Sequence, residues 1–157
     1  MEQPTGTQHS IVGSWLVTVH LRDGTTPPYL FTFTADSCLT VSGPPVFPPD
    51  SGDPHAASGS PVLSAGHGTW ESIDANNVIL TFVRLVVDKS GAFLGRRVTR
   101  ALVGFENGST TWGGQFSTEV LAPAGEEVLF DGGGSFRAER ILAEEPQPGG
   151  VIRGVKP

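Results

Sequence analysis

Arg96, Arg100, Gln115, Ser117 and Glu119 lie on two consecutive segments of alternating apolar and polar residues in a 157-residue chain. If each segment is a strand and the turn between them pairs its flanking residues directly, Arg96 faces Glu119 and Arg100 faces Gln115 one layer deeper, with Ser117 between. All five then project from one face. A carboxylate beside an arginine is held ionised and can accept a proton. A second arginine can orient and polarise a substrate oxygen. One charge pair in a sheet ordinarily does no more than hold register. Two arginines to one carboxylate leave a cation over, which suits an apolar ligand with one anionic or enolisable oxygen function, such as a carboxylate or β-dicarbonyl. On this reading Glu119, held by Arg96, transfers the proton, and Arg100, backed by Gln115, orients the substrate.

Further side chains join this set by alternation. Tyr29, Phe31 and Phe33 fall on one face of PYLFTFT and, with Trp70, Ser117 and Phe130, are expected to line the ligand space. Phe47, between two proline pairs, is the part of the proline-rich segment expected to tuck inward. Cys38 has no histidine or aspartate partner in view and reads as a small buried hydrophobe. His67, in Gly66-His67-Gly68, points outward. A one-residue bulge would invert part of the assignment, and His67, Arg84, Arg97 and Thr99 would then inherit the site. The single cysteine and four histidines have no zinc spacing, and there is no phosphate loop, nucleotide fingerprint or Ser-His-Asp order, so neither metal nor cofactor is expected.

Positioning such a site requires strands. No stretch has helical periodicity over three turns, while β-branched and aromatic alternation recurs between turn residues. The predicted strands are 11–21, 28–34, 37–42, 66–73, 77–87, 92–105, 109–121 and 126–141. Eight strands on short connections predict an all-β, antiparallel up-and-down barrel, which leaves no free edge. Asn107-Gly108, Asp88 to Gly91 and Ala122 to Gly125 read as hairpin turns. Direct pairing across these and across Asp74 to Asn77 also sets Arg84 against Gly95 and Gly113 against Gly134. It places Trp70, Ile79, Leu85, Leu102, Phe136 and Ala138 inside. Phe82, Val103, Phe105, Trp112 and Phe116 fall outside, a patch that predicts a homodimer. Gly113-Gly114 and Gly132 to Gly134 read as close-approach positions where the sheet coils shut. Residues 1–10 are expected to be disordered, 11–141 to form the barrel and 142–157 a flexible tail. Segment 43–64, with six prolines, is expected to be a lid loop over the mouth.

The chain carries 10 basic and 16 acidic residues, a formal charge of −6, with no basic block, which argues against a nucleic-acid partner. No apolar run approaches the length of a membrane helix, and residues 1–10 lack a signal pattern, so a cytoplasmic protein is expected. The excess of arginine over lysine and the high glycine and proline content suit a GC-rich bacterial genome.

Gly13-Ser14-Trp15 on the first strand and Arg140 at the end of the last resemble the lipocalin and wider calycin pattern of Gly-x-Trp with a closing arginine. The resemblance, over residues 11–141, implies that Trp15 plugs one end of the barrel beneath Arg140, and that the opposite end opens to a small hydrophobic molecule. Combined with the arginines and the glutamate, it points to a cofactor-free barrel enzyme of bacterial natural-product biosynthesis that cyclises or isomerises a polyketide-like substrate. The alternative is a non-catalytic carrier of such a molecule.

Overall fold

The computed structural model describes residues 9–45, 61–106 and 110–145, and of Phe130 only the backbone. Its strands are β1 (Gly13–Leu21), β2 (Pro28–Phe33), β3 (Cys38–Ser42), β4 (Val62–Leu63), β5 (Gly66–Ser72), β6 (Asn77–Val87), β7 (Phe93–Phe105), β8 (Thr111–Leu121) and β9 (Val128–Arg140). Neighbours pair antiparallel, and β9 returns to β1, with Trp15 opposite Arg140 and Leu21 opposite Gly134. The two-residue β4 extends the line of β5 along β6. At the interruption, Ser64 donates its N–H to the Leu85 carbonyl at 3.0 Å, and its hydroxyl accepts the Leu85 N–H at 2.8 Å. The result is a closed barrel of eight staves. No helix among the described residues is long and apolar enough to cross a membrane.

Alternation puts one apolar side chain in two into the interior, and aromatic rings fill one half of it. Trp15, Phe31, Phe33 and Trp112 are buried and meet at ring-centroid distances of 5.9–6.2 Å. Residues 9–12 cross this end. Ile11 is fully buried, its carbonyl accepts the Trp15 indole N–H at 2.8 Å, and the His9 ring lies against Trp70 and Phe105. The Arg140 guanidinium stacks 4.2 Å from the Trp15 ring and donates to the Val12 and Ser10 carbonyls. Gly13 has φ +133°, and a Cβ there would lie 2.7 Å from the Arg140 guanidinium. Glycine at this position is therefore what lets the arginine close over the tryptophan.

The face assignment of β6, β7 and β8 is the reverse of the sequence expectation. Ser72, not Ile73, pairs with Val78, so five residues, not four, separate the paired residues at the β5–β6 turn. Asp74 organises it, its carboxylate accepting the N–H groups of Asn76 and Asn77 at 2.8 and 2.9 Å. One extra residue turns every following side chain over. Phe82, Val103 and Trp112 are therefore buried, with Phe105 and Phe116 packed against them, and the patch that pointed to a homodimer is core. Ile79, Leu85 and Leu102 face solvent. A register shift between Val120 and Leu121, in the pairing of β8 with β9, turns the chain back, leaving Phe136 and Ala138 inside as expected. Two further shifts of two residues keep the faces but change the partners. Arg84 faces Arg97, Arg96 faces Leu121, and Arg100 faces Ser117. Gly113 faces Arg137 instead of Gly134. In the β2–β3 turn, Ser37 takes a left-handed φ of 69°, which brings Leu39 and Val41 inside and leaves Cys38 exposed.

Candidate functional site

The half of the barrel opposite Trp15 holds two inward-facing arginines among the described residues, Arg84 on β6 and Arg97 on β7, directly across from each other. Arg84 is 2% exposed. Its Nε donates to the Ser64 carbonyl at 2.7 Å, Nη2 to the Pro44 carbonyl at 3.1 Å and Nη1 to the Tyr29 hydroxyl oxygen at 3.5 Å. The Tyr29 ring lies 5.7 Å from the guanidinium carbon. Burial lowers the Arg84 pKa because desolvation penalises the charged form; the Tyr29 oxygen opposes that shift and the Arg97 charge adds to it. Arginine nevertheless stays protonated. No carboxylate forms a salt bridge with Arg84 among the described residues.

Arg97 is half-buried, and its Nε donates to the Thr118 hydroxyl at 3.2 Å. Thr118 in turn lies 3.1 Å from the Thr99 hydroxyl and donates to the Val98 carbonyl at 3.3 Å, and both threonines are buried. Tyr29, Arg84, Arg97 and Thr99 border a cavity of about 40 Å³ whose remaining walls include Val19, Leu63, Phe82, Phe116 and Phe136. Phe116 stacks on Phe136 at 4.4 Å. A second, more polar cavity of about 210 Å³ lies beyond Arg97, bordered also by Arg22, Asp23, Thr118 and Asp131. The chemistry is that of donors around an apolar space. Arg84 and Arg97 can only donate, and the Tyr29 hydroxyl accepts from Arg84, leaving its own hydrogen to offer.

Of the residues expected at the site, Tyr29 lines the smaller cavity. Phe31, Phe33 and Trp70 point inward as expected but pack in the aromatic half of the core. Arg96, Arg100, Gln115, Ser117 and Glu119 are corrected to the outer face by the β5–β6 register. There Arg100 and Glu119 form a 3.0 Å ion pair, 52% and 37% exposed, and Arg96 donates to the Gly125 carbonyl at 3.4 Å. Phe47, most of the expected lid and Asn107-Gly108 lie outside the described residues, as does the Phe130 side chain. Of the residues named to inherit the site under an inverted face, Arg84, Arg97 and Thr99 line the cavity, and His67 is exposed on the outer surface. Sequence reasoning did not single out Thr118 or the main-chain carbonyls of Pro44 and Ser64. No group of three or more metal-ligating side chains occurs among the described residues.

A closed eight-stranded antiparallel barrel with a donor-lined, apolar cavity in one half is the class this geometry defines. No family model matches the chain, and no curated protein or solved structure is significantly similar to it.

Proposed function

We propose that the barrel binds a small, largely apolar molecule carrying one anionic oxygen group, with the apolar part against Phe82, Phe116 and Phe136 and the anion at Arg84 and Arg97. The observation that carries this reading is the buried Arg84 guanidinium, neutralised by no carboxylate among the described residues and opposed across the sheet by a second arginine. A buried charge without a counter-ion is costly, and a bound anion offsets that cost. The calycin-like reading has the same support as the barrel itself, plus the stacking of Arg140 on Trp15. The test is ligand-observed NMR with a library of small apolar acids and their matched amides and alcohols. Acids should dominate the hits and be lost in Arg84→Met. Hits spread evenly between acids and neutral analogues would refute the reading.

A second reading is catalytic, the cyclisation or isomerisation of a polyketide-like molecule in natural-product biosynthesis. Its support is the Tyr29 hydroxyl, which lies within 3.5 Å of Arg84 and could hand a proton to an enolate oxygen that the arginines polarise. Glu119, on the outer surface, has no part in it. Exchange of the α-protons of a β-dicarbonyl probe in D₂O, faster with wild-type protein than with Tyr29→Phe, would favour this reading.

A further inference from the structure

Resting on the binding reading, we infer that the ligand class is short-chain carboxylic acids, bound as the carboxylate with a compact hydrocarbon part of roughly three or four carbons, the volume of a few water-sized groups. The cavity of about 40 Å³ sets the size. Toward the other half of the barrel its wall includes the stacked Phe116 and Phe136 rings, and Phe136 packs directly on Phe31 and Trp112. A long chain therefore has no passage down the barrel axis. The larger cavity beyond Arg97 is the less favourable direction for hydrocarbon, because Arg22, Asp23, Thr118 and Asp131 border it alongside Leu21 and Phe116. Hydrocarbon there would strip water from charged groups without replacing their hydrogen bonds.

The donor inventory sets the head group. A guanidinium has five N–H groups. Three of those on Arg84 are taken by Ser64, Pro44 and Tyr29, so two remain. The Tyr29 hydroxyl hydrogen and the Arg97 guanidinium border the same space. A carboxylate offers two acceptor oxygens and no donor, which this lining satisfies. A primary amide places an NH₂ group against cations and loses on both charge and donor count. The two arginine roles differ. Arg84 also ties Pro44 to Ser64, where Leu63 donates its N–H to the Pro45 carbonyl at 2.7 Å, so it shapes the cavity as well as contacting the anion.

The experiment is isothermal titration of the full chain with acetate, 2-methylpropanoate, 3-methylbutanoate, hexanoate and decanoate, with 3-methylbutanamide and sulfate as controls. Affinity should peak at the four- and five-carbon acids, fall at least tenfold for the amide, and be no tighter for decanoate. Arg97→Met should weaken 3-methylbutanoate at least tenfold while its circular dichroism matches wild type. Arg84→Lys, which keeps the charge and loses the fork, should do the same. Affinity rising steadily through decanoate would overturn the size limit while leaving the binding of apolar anions intact. Sulfate binding as tightly as 3-methylbutanoate would overturn the carboxylate class, and binding by none of the acids would overturn both this inference and the function on which it rests.

Discussion

Alanine at Gly134 should destabilise the barrel because of where β9 meets β1. A Cβ added there would overlap the His20 carbonyl oxygen and would approach two carbons of the Phe116 ring to 2.9 and 3.0 Å. The oxygen belongs to the strand that closes the barrel, in a pairing where Leu21 lies opposite Gly134, so it cannot swing aside as a flexible side-chain tip would. Relief requires parting β1 from β9 or displacing Phe116 from its stack on Phe136. Overpacking of this kind typically costs about 1–3 kcal/mol. The entropy advantage of alanine over glycine in the unfolded chain returns less than about 1 kcal/mol. Gly125, in the β8–β9 turn, supplies the control, for a Cβ there meets nothing within 4 Å and its φ is not positive. In urea unfolding with a slope of about 1–3 kcal/mol/M, Gly134→Ala should lower the midpoint by roughly 1 M. Gly125→Ala should leave the midpoint unchanged or raise it slightly. Equal midpoints for the two variants would refute the claim that this glycine is present for strand closure.

The outer ion pair and the turn aspartates give two further tests. Because Arg100 and Glu119 are 52% and 37% exposed, Glu119→Gln should change stability by less than about 1 kcal/mol and leave carboxylate binding untouched; a binding defect would return the site to the outer face. Four turn aspartates have pKa values lowered by hydrogen bonds: Asp23 by the Thr25 hydroxyl and N–H, Asp36 by the Thr34 hydroxyl, Asp74 by Asn76 and Asn77, and Asp88 by Ser90 and Ala92. Each has a folded pKa below its unfolded one, so its contribution is complete above the unfolded value and disappears as pH falls through the folded value. The melting temperature should therefore be level above about pH 5 and drop below about pH 4. Asp74→Asn should flatten part of that drop, and an unchanged slope would contradict the assignment.

How much of the site could be read in advance turned on one turn. Asp74-Ala75-Asn76-Asn77 announces a connection but not its length, because Asp74 can cap either a four- or a five-residue loop with the same carboxylate. The choice is made elsewhere in the molecule. Inverting β6 to β8 buries Phe82, Trp112 and Val103 and packs Phe105 and Phe116 against them, at the expense of exposing Ile79, Leu85 and Leu102. Each large apolar side chain taken from water is worth about 1.5–3 kcal/mol, and aromatic rings bury the most area. Weighing those aromatics against the aliphatic residues was the signal available in the sequence for the correct face. Arg84 was obscured by its setting in NVILTFVRLVV, where both faces are apolar and a lone charge reads more naturally as exposed.

The sequence by itself determined the all-β class, most strand positions, the inward set Tyr29, Phe31 and Phe33, and the pairing of Trp15 with Arg140 at one end. These follow from local alternation and from a short motif whose partners sit at the termini of predicted strands. Only the tertiary structure decided which arginines share the interior. Facing depends on the parity of each connection, and a single residue at Asp74 to Asn77, or the shift at Val120 and Leu121, reverses it. Local propensity is nearly indifferent to that parity. It is fixed by the sum of burial over the whole closed sheet, which places Arg84 where the carbonyls of Pro44 and Ser64, remote in sequence from it and from each other, can hold its charge.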